Sequence, residues 1–110
     1  MAWYRVLTAI PVQSDDHGAL KTLRTEVRWL LAAEATPTVS VDGVQLAEDG
    51  WLEVQWRIAM NSDERSGVWA LRTLRAALAA ACHALRRGGR GLWVEVGDGF
   101  AVSVEPHVQA

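Results

Sequence analysis

Apolar and polar positions alternate with a period of two in some stretches and recur every three to four residues in others, and these switches mark out the elements. Residues 3–10, WYRVLTAI, are rich in aromatic and β-branched types and predict an opening strand whose end is set by Pro11. Ser14 is placed to cap a helix whose first turn holds Asp15 and Asp16, and which runs to about Glu34. Leu20, Leu23, Val27, Leu30 and Leu31 form its buried stripe, and Pro37 forbids continuation. Val39, Val41, Val44 and Leu46 alternate with polar residues except for a one-residue slip at Asp42-Gly43, which predicts either a tight hairpin turn or a bulge. Residues 51–60, WLEVQWRIAM, place Leu52, Val54, Trp56, Ile58 and Met60 on one face of a strand and Trp51, Glu53, Gln55 and Arg57 on the other.

Asn61 or Ser62 caps a second helix, with Asn61 and Glu64 at capping-box spacing. Gly67 weakens its first turns, so the regular part is expected from about Val68. Leu71, Leu74, Leu78, Ala81, Cys82 and Leu85 make the apolar stripe. A second stripe of small residues, Ala70, Thr73, Ala77, Ala80 and Ala84, suits close approach to the first helix or to a second subunit. Gly88-Gly89 stops the helix. Residues 92–105 are expected to close the chain as a hairpin turning at Gly97-Asp98-Gly99, with a loose tail from Pro106.

Part of this pattern is written twice. ALKTLR at 19–24 returns as ALRTLR at 70–75, Ser14-Asp15-Asp16 as Ser62-Asp63-Glu64, and Val39–Val44 is echoed by Val94–Phe100, at offsets of 51, 48 and 55. The expected fold is therefore α+β: one domain of two duplicated strand–helix–strand–strand units, about 3–49 and 51–105, forming an antiparallel sheet with both helices on one face. The alternative is a ferredoxin-like βαββαβ sandwich, with Val44–Glu48 a loop and one extra C-terminal strand. In element order the chain resembles the duplicated modules of gyrase-inhibitor-like small-molecule-binding domains, and the single modules of dodecin-type oligomers. That resemblance carries over no binding residue.

A chain of 110 residues, half of them hydrophobic, can build a core without metal or disulfide staples. The single cysteine, Cys82, fits a reducing compartment, and neither a secretory segment nor a membrane-spanning run is visible, so a cytoplasmic protein is expected. The formal net charge is only −2, but it is unevenly spread. Residues 1–64 hold five basic and ten acidic side chains, whereas residues 65–94 hold six arginines and no acid. On the second helix Arg72, Arg75, His83 and Arg86 share one arc, with Arg87 further round and Arg90 in the following loop. An acidic protein face complements such an arc; nucleic acid ranks below it because the chain as a whole is acidic.

Six tryptophans add a second signal. Trp56 belongs to the inward set of its strand, while Trp29, Trp69 and Trp93 lie out of phase with the apolar stripes around them. Out-of-phase tryptophans serve as contact anchors or pocket walls. Catalysis has less support. His17, His83 and His107 are far apart and lack metal-ligand spacing, Cys82 lies on an apolar stripe, and the glycine clusters match no phosphate loop, so neither cofactor nor metal is expected. The leading expectation is a non-catalytic, homodimeric interaction module that holds an acidic protein through Trp69, Arg72, Arg75, Arg86, Arg87 and Trp93. The second is a receptor for a small aromatic ligand, bound between the repeats at Trp56 and Trp93.

Overall fold

The computed structural model describes residues 1–87 and 93–107. The expected stop at Gly88-Gly89, Arg90, and the tail beyond His107 lie outside the described residues. The elements are β1 (Ala2–Gln13), α1 (His17–Ala33), β2 (Val39–Leu46), β3 (Trp51–Met60), α2 (Asp63–Arg87), β4 (Glu95–Val96) and β5 (Ala101–Pro106). The strands form a five-stranded antiparallel sheet in the order β2-β3-β1, with β4 and β5 both pairing to the free side of β1. This is the ferredoxin-like order.

One sheet face carries the core. Val6, Thr8, Ile10 and Val12 of β1 and Leu52, Val54, Trp56 and Ile58 of β3 are all buried beneath the helices, as their alternation requires. Leu20, Leu23, Val27 and Leu31 of α1 and Leu74, Leu78, Ala81 and Leu85 of α2 close over them. The other face keeps Arg5, Leu7, Gln55 and Arg57 exposed. In the two written copies, Ala19 and Ala70, and likewise Leu23 and Leu74, are wholly buried. Helical spacing alone produces that equivalence, and the duplication remains an inference from sequence.

Neither unit ends in a hairpin, because both suspected turns are bulges. Val39–Val41 and Gly43–Leu46 pair with the same strand, β3, and the register shifts by one residue around Asp42. Asp42 is left free to reach across to Arg57, whose Nε lies 3.0 Å from Asp42 Oδ1. Val44 to Leu46 are thus ladder residues, not a loop. Likewise β4 and β5 run in one direction along β1, pairing Val12 with Val96 and Ala9 with Ala101, so Gly97–Phe100 is an excursion from a single edge.

That excursion accommodates Pro11. The central strand β1 continues through the proline to Gln13, because the N–H that Pro11 lacks would point toward the interrupted edge. The Pro11 carbonyl accepts from the Gly97 N–H at 2.8 Å, and a Cβ on residue 97 would stand 2.7 Å from Pro11 Cγ. Only glycine fits.

The α1 cap lies two residues beyond the expected one, whereas the α2 cap is one of the two expected. Asp16, not Ser14, caps α1, its Oδ1 accepting from the Gly18 N–H at 2.8 Å. Ser62 Oγ accepts from the Arg65 N–H at 3.2 Å, so α2 starts at Asp63 and passes straight through Gly67. A Cβ at 67 would meet Val104 at 3.1 Å and Val102 at 3.2 Å, so this glycine brings α2 close to the edge strand β5. Of the small-residue stripe, Ala70 and Ala77 are buried while Ala80 and Ala84 are exposed. The stripe lies partly beside Leu30 and Ala33 of α1. Among the described residues no helix is long and apolar enough to cross a membrane.

Candidate functional site

The basic arc lies on the solvent side of α2, and its residues fall into two groups. Arg75 and Arg86 lean toward the edge formed by β4 and β5. There the Arg86 guanidinium carbon sits 4.7 Å from the centre of the Trp93 ring, and that of Arg75 sits 5.4 Å from the centre of Phe100. Both distances are those of cation–π contacts. Neither aromatic is buried by the contact, since Trp93 is 66% exposed and Phe100 56%. The Trp93 backbone is tethered by its carbonyl, which accepts from Ser14 Oγ at 2.6 Å. Ser14, freed from capping α1, thus fixes the indole's place at the top of the edge.

Arg72 leans the other way. With Trp69 it lines an open groove of about 500 Å³ beside Leu30, Ala33 and Glu34 of α1. Trp69 is half-buried and meets the core indole of Trp56 edge-on, with ring centres 5.7 Å apart at 79°. It is chiefly a packing residue that shows one edge. Arg87, in the last turn, is exposed. Among the described residues the ion pairs are Arg5 with Glu105 and Arg57 with Asp42, and none of Arg72, Arg75, Arg86 or Arg87 has a carboxylate within 4.0 Å. The edge group of Arg75, Arg86, Trp93 and Phe100 is therefore aromatic and holds two arginines free of close ion pairs, with Glu95 and Asp98 between the two rings in sequence.

The ligand site imagined at Trp56 and Trp93 is not formed. Trp56 is wholly buried, and its indole N–H donates to Thr8 Oγ1 at 2.9 Å inside the core, whereas Trp93 stands on the surface. Alternation placed Trp56 inward, and the core closed over it. Trp29 is 77% exposed on the outer side of α1 beside Arg24 and Arg28, away from the arc. Cys82 is buried beneath α2, and burial pushes its thiol above the ordinary range while Arg86 acts in the opposite sense. A thiol held neutral is a poor nucleophile. His107 Nδ1 lies 3.4 Å from the Arg5 guanidinium on the far side of the sheet.

Phe100 is the residue that sequence reasoning left out of the site. In the sequence it opens the second strand of the expected hairpin, directly after the turn. The available signal is a large apolar side chain directly after Gly97-Asp98-Gly99.

No protein-family model and no curated protein matches the chain. Among solved structures, the chain is similar to the solution NMR structure of a de novo designed protein with ferredoxin fold. The identity is 13% and the TM-score 0.47, covering 88% of this chain and 84% of that one.

Proposed function

We propose that this protein is a non-catalytic, cytoplasmic interaction module that holds an acidic protein partner on the α2 edge. One observation carries this reading: Trp93 and Phe100 are exposed, and each lies beneath an α2 arginine that has no carboxylate of its own. Arginines held over aromatic rings spend none of their N–H groups on a carboxylate and keep them for a partner's. The rings supply apolar area at little cost in rotamer entropy. Arg72 and Arg87 widen the positive field and steer the encounter. Trp69 contributes the edge of its ring and no more.

Native mass spectrometry of the protein purified from its own source at low salt tests this reading. A retained acidic polypeptide is expected, lost as ionic strength rises. A retained oligonucleotide, with affinity falling steeply and linearly in log salt, would replace the acidic protein by nucleic acid.

A further inference from the structure

The outer edge of β5 offers an unfilled place in the sheet. β1 and β5 exchange hydrogen bonds at alternate residue pairs, and the His107 N–H donates to the Trp3 carbonyl at 3.0 Å. That parity assigns Glu105, Ser103 and Ala101 to β1, and turns the N–H and C=O of Val102 and Val104 toward the open side. Among the described residues nothing pairs with that side. The opposite edge of the sheet, β2, is guarded by its bulge and by the charge of Asp42. On β5 only Pro106 interrupts the edge, at its far end.

We infer that a second copy of this chain fills the place, β5 against β5 antiparallel, about a twofold axis at Ser103. Three features make the strand self-complementary in that register. The residues with free backbone groups pair with one another: Val102 meets the second copy's Val104, and Val104 its Val102, which makes four hydrogen bonds. On the helix-covered face, Val102 and Val104 run opposite Val104 and Val102, an apolar line that covers the exposed Val102 and leaves Phe100, which precedes the strand, at its rim. On the other face Ala101 stands opposite Glu105 and Ser103 opposite itself, so no charge meets its like. Shifting the register by one residue would set outward-pointing backbone groups against groups already bonded to β1. The dimer would form one continuous sheet, and it leaves the small-residue stripe of α2 out of the interface.

Disulfide trapping tests the register. Ser103 is an exposed residue facing its own mate at a non-hydrogen-bonded position, where Cα atoms stand about 4.5 Å apart, within disulfide reach. Ser103→Cys under mild oxidation should convert most of the protein to a covalent dimer on non-reducing electrophoresis. Ala101→Cys on the same strand should not, because its mates would stand about 14 Å apart at roughly 3.4 Å per residue. Ser103→Asp sets two like charges face to face and should weaken dimerisation by at least tenfold in sedimentation equilibrium, with the circular dichroism spectrum unchanged. Trapping of Ser103→Cys no faster than Ala101→Cys would overturn the proposal. So would a wild-type protein that sediments as a monomer at a few hundred micromolar, including one whose edge accepts an acidic peptide instead.

Discussion

The guanidinium carbon of Arg86 lies 4.7 Å from the centre of the Trp93 ring, so an arginine without a carboxylate partner is held in place by an exposed indole. This contact joins the last turn of α2 to the edge of the sheet, and it orients the cation on which the proposed site depends. A double-mutant cycle in urea with Arg86→Ala and Trp93→Ala should give a coupling of about 0.5–1 kcal/mol, as expected for an exposed cation–π pair. A coupling of zero would mean that Arg86 swings free, and the site would lose its preorganised arginine.

Thr8 and Trp56 form the polar contact at the centre of the core, at 2.9 Å. Thr8→Val keeps the shape but leaves the indole N–H buried without an acceptor. It should cost about 1–3 kcal/mol in chemical denaturation, whereas Thr8→Ser, which keeps the acceptor, should recover the part due to the hydrogen bond. A Thr8→Val variant as stable as the wild type would show that the buried indole N–H does not depend on this acceptor.

The Cys82 thiol has its pKa raised in the folded state by burial. Its neutral form is thus the one that the fold favours, and the sign follows: this contribution is fully present below the ordinary thiol pKa and is lost as pH rises through the raised value. Between about pH 7 and pH 10, a window spanning the ordinary thiol pKa, the wild type should lose more stability than Cys82→Ala. Parallel curves would show that the thiol ionises in the folded protein as easily as in the unfolded chain.

Strict periodicity made most of this fold legible. The leucine spacing of α1 and α2 and the alternation of 51–60 pick out the core, with Leu23, Leu74, Leu52 and Trp56 wholly buried and Leu30, Met60 and Leu71 partly so. The bulges were less legible. Asp42-Gly43 and Gly97–Phe100 carry turn-forming residues, and the chemistry of a turn does not reveal whether the strands beyond it pair with each other or with a third. That pairing is a long-range fact, decided here by the free side of β1 and by Pro11, which has no N–H and so needs no acceptor opposite it.

The site was legible in part. The wheel of α2 gave the arginine arc, but it could not show that Arg72 leans toward α1 while Arg75 and Arg86 lean toward the edge. Trp93 was marked by its phase and does stand exposed, whereas Trp69 carries the same signal and packs on Trp56. Phase identifies a side chain that leaves its own element's stripe; whether a neighbouring element then covers it depends on the tertiary fold.

The most direct test of the proposed site is paired capture from a lysate of the protein's own source. Wild type and a variant with Arg72, Arg75, Arg86 and Arg87 all replaced by alanine would be immobilised side by side, at about 50 mM and 300 mM salt to span weak and strong screening. A specific acidic protein should be retained by the wild type at low salt, released at high salt and absent from the variant, with both proteins equally folded. The same proteins held by wild type and variant alike would contradict the account, because the arginines would then play no part in binding.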